Sequence, residues 1–307
     1  MSFILNNSQY EHINNTYTSI LSNEIKETDY KELSILELLQ VKSKLVDKLN
    51  AFGVIDVTTL KREIVKIEKN ICDKFSNITT LYVVYNNITD YPFLSYDNRI
   101  YVATEENIAT ALLGEMKNKV AEIRIEEINN VTDYLKSLYH YNGIIGFVVN
   151  TCEDANKNSK VDIADIIKDI DKIRTFNNKE ITNTYLHLSQ LAQLNIDKDV
   201  DKCLDTLRYA ISQATFIVPV ISDNGEDISQ ISVPLMDLDN EDTVAIAVYT
   251  DESSYNAIPE NKKYVKYLLT YKEIVTYFKS NIVINPRLLW IIVDSGFKAK
   301  INEMNRA

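Results

Sequence analysis

The sequence predicts an α+β protein: two repeated small units of mixed or antiparallel sheet with helices, joined by an α-helical segment and preceded by an N-terminal helical hairpin. Three observations carry this reading. The apolar spacing changes from a helical to a strand-like period at residue 79, is helical again over most of 162–213, and returns to β-rich runs at 215. The two β-rich regions match each other segment by segment, in the same order. The chain has 307 residues, 45% of them apolar, with only six Gly and five Pro, so it can bury two cores but is not a Gly-rich all-β chain. The expected division is 1–78 as an N-terminal helical region, 79–152 as the first α+β unit, 153–213 as a helical connector and 214–307 as the second unit.

Taken in order, residues 1–30 are polar and Asn-rich and read as a short helix or an irregular arm. Over 31–50, Ile35, Leu38, Leu39, Leu45 and Leu49 recur at helical spacing. Gly53 breaks that helix, and Asp56, Thr58 or Thr59 can cap the next. Leu60, Ile64, Ile67, Ile71 and Phe75 then share one face of 60–75, and two helices joined this closely fold back as a hairpin. "TTLYVVYNN" (79–87) and "RIYVAT" (99–104) read as strands, with a turn at "YDN" before the second. Helical spacing resumes over 126–138, and "GIIGFVVN" (143–150) is a buried strand whose glycines suit tight packing at its start. One helix starts near Asp162; two more carry Ile181, Tyr185, Leu188 and Leu191, then Val200, Cys203, Leu204, Leu207 and Ile211. Strands return as "TFIVPVIS" (215–222), "ISVPLMDL" (231–238) and "TVAIAVYT" (243–250), and a helix over 271–280 leads into "NIVINP" (281–286) and "LLWIIV" (288–293).

The internal match pairs "TLYVVY" (80–85) with "TFIVPV" (215–220), "YPFLSYDN" (91–98) with "VPLMDLDN" (233–240) and "YVATEEN" (101–107) with "AVYTDES" (247–253). It continues with "VTDYLKS" (131–137) against "VTYFKS" (275–280) and "FVVN" (147–150) against "IVIN" (282–285). The second copy, over 214–295, resembles the SseB N-terminal domain family. The resemblance lies in the opening strand "FIVPV", in "VPLMDLDN" leading to a strand that ends "YTDESSY", and in "IVINP" after the last helix. The first copy departs from the pattern, with Tyr85 in place of Val220 and Thr151 in place of the Pro after Asn150. The resemblance implies a small α+β domain and no reaction, since the family is not known for catalytic residues.

Several function classes are disfavoured. A formal net charge of −11 repels a phosphate backbone, and the best basic cluster, Lys262, Lys263 and Lys266 beside Glu260, reads as a solvated helix face. The N-terminus lacks a basic region followed by a long apolar run, and no segment approaches the ~18 uninterrupted apolar residues of a membrane span, so a cytoplasmic protein is expected. Cys72, Cys152 and Cys203 form no metal or redox motif and are expected to be buried as small apolar residues. The three histidines, His12, His140 and His187, are scattered through the sequence. No nucleophile, base and orienting group converge, so no catalytic residues and no enzyme activity are expected. The acidic run Asp237, Asp239, Glu241 and Asp242 reads as a wet turn, and Glu105/Glu106 and Asp251/Glu252 as helix openings after strands.

One loop has a metal-like spacing. In "DANKNSKVDIAD", Asp154, Asn156, Asn158, Asp162 and Asp165 occupy positions one, three, five, nine and twelve of a calcium loop, with the Lys160 carbonyl at seven and Val161 at eight. Ser159 stands where a glycine normally makes the sharp turn, two asparagines lower the charge that would hold the ion, and no second loop lies nearby. The alternative is a polar connector in which Asp162 caps the following helix. The leading expectation is a non-enzymatic interaction or scaffold protein, acting on a protein partner or by self-association, with no cofactor. The alternatives are a calcium-responsive protein using 154–165, an acidic inhibitor or immunity-like protein, and an enzyme using Asp237 or Asp239 in a cleft between the copies.

Overall fold

A computed structural model describes the chain apart from residues 1–4, 52–55, 96, 119, 121, 150–158, 171–177, 195, 222–230, 239–243 and 306–307. The protein is α+β. It divides into two compact units, one made of residues 1–136 and 145–172, the other of 137–144 and 173–307.

The first unit opens with helices whose starts are set by local chemistry. Helix α1 (Asn7–Leu21) begins in a capping box: Gln9 N–H donates to Asn6 Oδ1, and Asn6 N–H donates to Gln9 Oε1. A short α2 (Glu27–Glu32) precedes α3 (Ile35–Asn50), where Ser34 and Glu37 repeat the same device. Helix α4 (Val57–Phe75) is capped by Asp56, which accepts from Thr59 N–H at 2.9 Å. α3 packs on α4 as the expected hairpin. Leu38, Val41, Leu45, Ile67 and Ile71 are buried, and Glu63 is held inside by the Tyr30 hydroxyl, which donates to it at 2.6 Å.

The sheet of this unit runs β2-β1-β3-β5-β6, with β4 on the other side of β1. Its strands are β1 (Leu81–Asn86), β2 (Tyr91–Pro92), β3 (Arg99–Ala103), β4 (Ile123–Ile128), β5 (Gly146–Val149) and β6 (Ser159–Asp162), and β3 and β5 are the parallel pair. Helix α5 (Glu106–Lys117) follows β3, α6 (Val131–Tyr141) follows β4, and the single turn α7 (Ile163–Ile166) follows β6. The residues 126–128, expected to be helical, belong to β4, an edge strand on which Arg124, Glu126 and Glu127 supply charge. Residues 159–162, expected to be loop, pair with β5.

The second unit carries α8 (Lys179–Gln193) and α9 (Val200–Gln213), packed together, before its strands. These are β7 (Thr215–Val220), β8 (Leu235–Asp237), β9 (Val244–Val248), β10 (Val265–Thr270), β11 (Asn281–Ile284) and β12 (Ile291–Val293). Helices α10 (Glu252–Asn256), α11 (Tyr271–Tyr277) and α12 (Ser295–Met304) complete it. The Lys-rich 262–266 is helical only in part: Lys262 and Lys263 are exposed at the end of a 3₁₀ helix, while Lys266 lies in β10, where it pairs with Glu252.

The two units share one strand plan. In each, the first strand pairs antiparallel with the strand before the crossing helix (β1 with β4, β7 with β10). In each, the third strand runs parallel to the fifth, which pairs antiparallel with the last. Even the register agrees. Tyr82 sits opposite Ala103 as Ile217 sits opposite Tyr249, and Val102 sits opposite Val149 as Val248 sits opposite Ile284. These are the residues that the matched segments equate. Two segments slip. Leu94 bridges Ile100 whereas Leu235 opposes Ile246, so the hairpin match is off by one residue. Helices α6 and α11 begin at Val131 and Tyr271, so pairing "VTDYLKS" with "VTYFKS" is about one helical turn out.

Candidate binding groove

α4 buries one stripe and leaves part of it open. Ile64, on the expected core face, is only half-buried, and Val65 beside it is 63% exposed. With Val46 and Leu49 of α3 they floor a groove of about 1010 Å³. Its far end is closed by Cys72 and Asp73 of α4, Lys160 of β6 and Asp165 of α7. Beneath it Lys42, whose side chain is 4% exposed, ion-pairs with Glu68 at 2.8 Å and donates to Ser159 Oγ at 3.1 Å. These bonds tie α3, α4 and β6 together, so the groove has a fixed floor. Burial, and after it the carboxylates of Asp165, Asp73, Glu68 and Asp162, push the Cys72 thiol up to about 11. At neutral pH it remains a thiol and is a poor nucleophile. The arrangement offers apolar contact and charge; it assembles no nucleophile with a base.

Of the calcium-loop residues, Asp154, Asn156 and Asn158 lie outside the described residues. Asp162 takes the N-cap position of α7 but its side chain makes no capping bond; it pairs with Arg99 instead. Arg99 also holds Asp97 at 2.8 Å, and Lys160 donates to Asp97 at 2.7 Å. Asp165 lines the groove. Among the described residues no cluster of three His, Cys, Asp or Glu side chains could hold a metal. Asp162 and Lys160 of the loop thus take part in a cross-strand ion-pair network.

That network has a pH signature. Partial burial alone would raise the Asp97 carboxyl, yet hydrogen bonds from Lys160 and Ser95 and the Arg99 charge hold it down to about 2, from an ordinary 3.8. A depressed folded value stabilises the protein above pH 3.8, and the gain is lost as pH falls toward 2. Asp97→Asn is therefore expected to melt lower than the parent at neutral pH, with the gap closing over that window. A gap that stays constant down to pH 2 in a melting series would contradict this.

The remaining sequence candidates are dispersed. Asp237 is exposed on β8, while Asp239, Glu241 and Asp242 fall outside the described residues. His12 in the first unit lies 3.2 Å from Glu37; in the second, His140 is buried in the last turn of α6, and burial lowers the His187 pKa. Cys203 donates to the Thr184 carbonyl at 3.4 Å, and Cys152 is outside the described residues.

The motif residues of the second copy converge on a buried lock. Thr250 N–H donates to Asn285 Oδ1 at 3.0 Å, and Asn285 Nδ2 donates to Thr250 Oγ1 at 2.7 Å. Thr250 Oγ1 in turn donates to Asp251, which caps α10 by accepting from Ser254 N–H and Oγ, both at 2.8 Å. "YTDESSY" and "INP" thus bind each other across 35 residues of sequence. Every one of these polar groups is satisfied within the network, which makes it structural.

Fold and groove define a class: an α+β protein of two like-built sheet units, one of them bearing a helical hairpin with an open apolar channel. No protein-family model and no curated protein matches the chain. Among solved structures it is similar to "Anabaena Tic22 (protein transport)", at 10% identity over 77% of this chain and 96% of that one, with a TM-score of 0.18. At that score the likeness carries no argument about function. No described helix is long and apolar enough to cross a membrane.

Proposed function

We propose that this is a non-enzymatic protein-interaction protein, built from a duplicated module of the SseB N-terminal type, whose α3–α4 groove receives an apolar segment of a protein partner. The observation that carries the reading is the aliphatic floor. Ile64 and Val65 stay open between two helices that are capped at their starts and pinned by the buried Lys42. Leaving aliphatic surface wet forgoes burial energy, and a helical groove of this kind suits an amphipathic segment. No cofactor is required for such binding.

Val65 tests the reading cleanly, because its side chain is exposed and a charge there leaves the core untouched. Val65→Glu is expected to weaken partner capture from extracts of the native host by about tenfold or more, since it replaces an aliphatic contact by a carboxylate, one turn from Lys61 and Lys69, that an apolar segment would have to desolvate at a cost above ~1.4 kcal/mol. Thermal melting should remain within about 0.5 kcal/mol of the parent, as for surface substitutions generally. Capture unchanged by Val65→Glu, at equal stability, would remove the groove from the binding surface.

A further inference from the structure

The charges of the groove are ordered along α4. Along α4, Lys61, Ile64/Val65, Glu68/Lys69 and Cys72/Asp73 succeed one another on one face, turn by turn. Glu68 is used internally by Lys42, and Lys160 by Asp97. Among the described residues, no ion pair or side-chain hydrogen bond engages Lys61, Lys69, Asp73 or Asp165. Two free cations therefore stand roughly 12 Å apart along one wall, and two free carboxylates close the far end, Asp73 roughly 18 Å from the first cation by helical rise and Asp165 on α7. Asp73 sits in the last turn of its own helix, where the peptide dipole disfavours a negative charge.

Resting on the reading of the groove as a protein-binding surface, we propose that its occupant is an amphipathic helix lying parallel to α4. Its apolar stripe covers Ile64 and Val65, acidic residues about eight positions apart face Lys61 and Lys69, and a basic last turn faces Asp73 and Asp165. Acid early and base late also agrees with the dipole of the bound helix, so this peptide is helical at low cost before it docks.

The test uses the full chain and two synthetic peptides of about 18 residues, long enough for five helical turns. Both carry leucines at i, i+3, i+4 and i+7. One has the acidic-then-basic order, and the other has the charges exchanged. Fluorescence anisotropy should give the first peptide about tenfold tighter binding, shrinking at high salt, because attractive contacts become repulsive in the second. The double variant Lys61→Glu/Lys69→Glu should abolish the preference, because each peptide then meets two attractive and two repulsive contacts, and hydrogen exchange should show protection of α3 and α4. Equal affinities for the parent chain with α3 and α4 protected would overturn the charge assignment and leave the groove reading standing. No binding of either peptide, or protection elsewhere, would overturn both.

Discussion

Replacing Asn285 by alanine is expected to destabilise the second unit by roughly 3–5 kcal/mol, summed from its separate contributions. Asn285 is 1% exposed and follows β11 with φ +50. Its amide oxygen is the acceptor for Thr250 N–H, on a residue with no solvent exposure. Alanine leaves that donor buried and unpaired, which costs about 1–3 kcal/mol, and also removes the bond from Asn285 Nδ2 to Thr250 Oγ1, worth about 1 kcal/mol. A Cβ-bearing residue without a local polar group adds about 1 kcal/mol in the left-handed region. Asn285→Gly relieves only that last contribution, so it should recover about 1 kcal/mol relative to alanine and no more. Urea unfolding read by near-ultraviolet dichroism compares the three chains. Equal stability of alanine and parent would mean that Thr250 N–H finds another acceptor and that the lock is not a unit.

Those two motif segments were legible only as a resemblance. Nothing in the spacing of "YTDESSY" and "INP" says that Asn285 reaches back to Thr250; the contact exists because β9 and β11 run parallel and bring their C-terminal ends together. Elements with their own chemistry were plain in the sequence. Asp56 caps α4, Asp251 caps α10, and the apolar stripes of α3, α4, α8 and α9 fall inside helices. Edge strands were not. β4 reads "IRIEEI" and β10 "VKYLLT", and a charged edge strand alternates too weakly to be told from an exposed helix face. The groove escaped for a different reason. Ile64 shares the stripe of Leu60 and Ile67, and periodicity cannot tell a core residue from a floor that no neighbour covers. The usable signal was Val65, an aliphatic residue set beside that stripe, which widens the apolar face of α4 beyond what one antiparallel helix covers.

One pair of identical substitutions should move stability in opposite directions. At Gly146 an added Cβ would lie 2.2 Å from the Val161 carbonyl oxygen and 3.1 Å from Asp162 Cα. Both neighbours are backbone of β6, and Gly146 is paired directly with Asp162, so no side chain can yield. The strand must move, and with it the Arg99–Asp162 pair, the Lys160–Asp97 pair and the Ser159 hydroxyl that receives Lys42. Gly146→Ala is therefore expected to cost roughly 3 kcal/mol, the upper range for overpacking, and to weaken helix binding in the groove because Lys160 and Asp165 are displaced. Gly114, inside α5, has nothing within 4 Å of its added Cβ. There alanine should stabilise by about 0.5–1 kcal/mol, the helix-interior difference between the two residues. If Gly146→Ala unfolds at the same denaturant concentration as the parent, β6 is not fixed against β5, and the closed end of the groove loses its support.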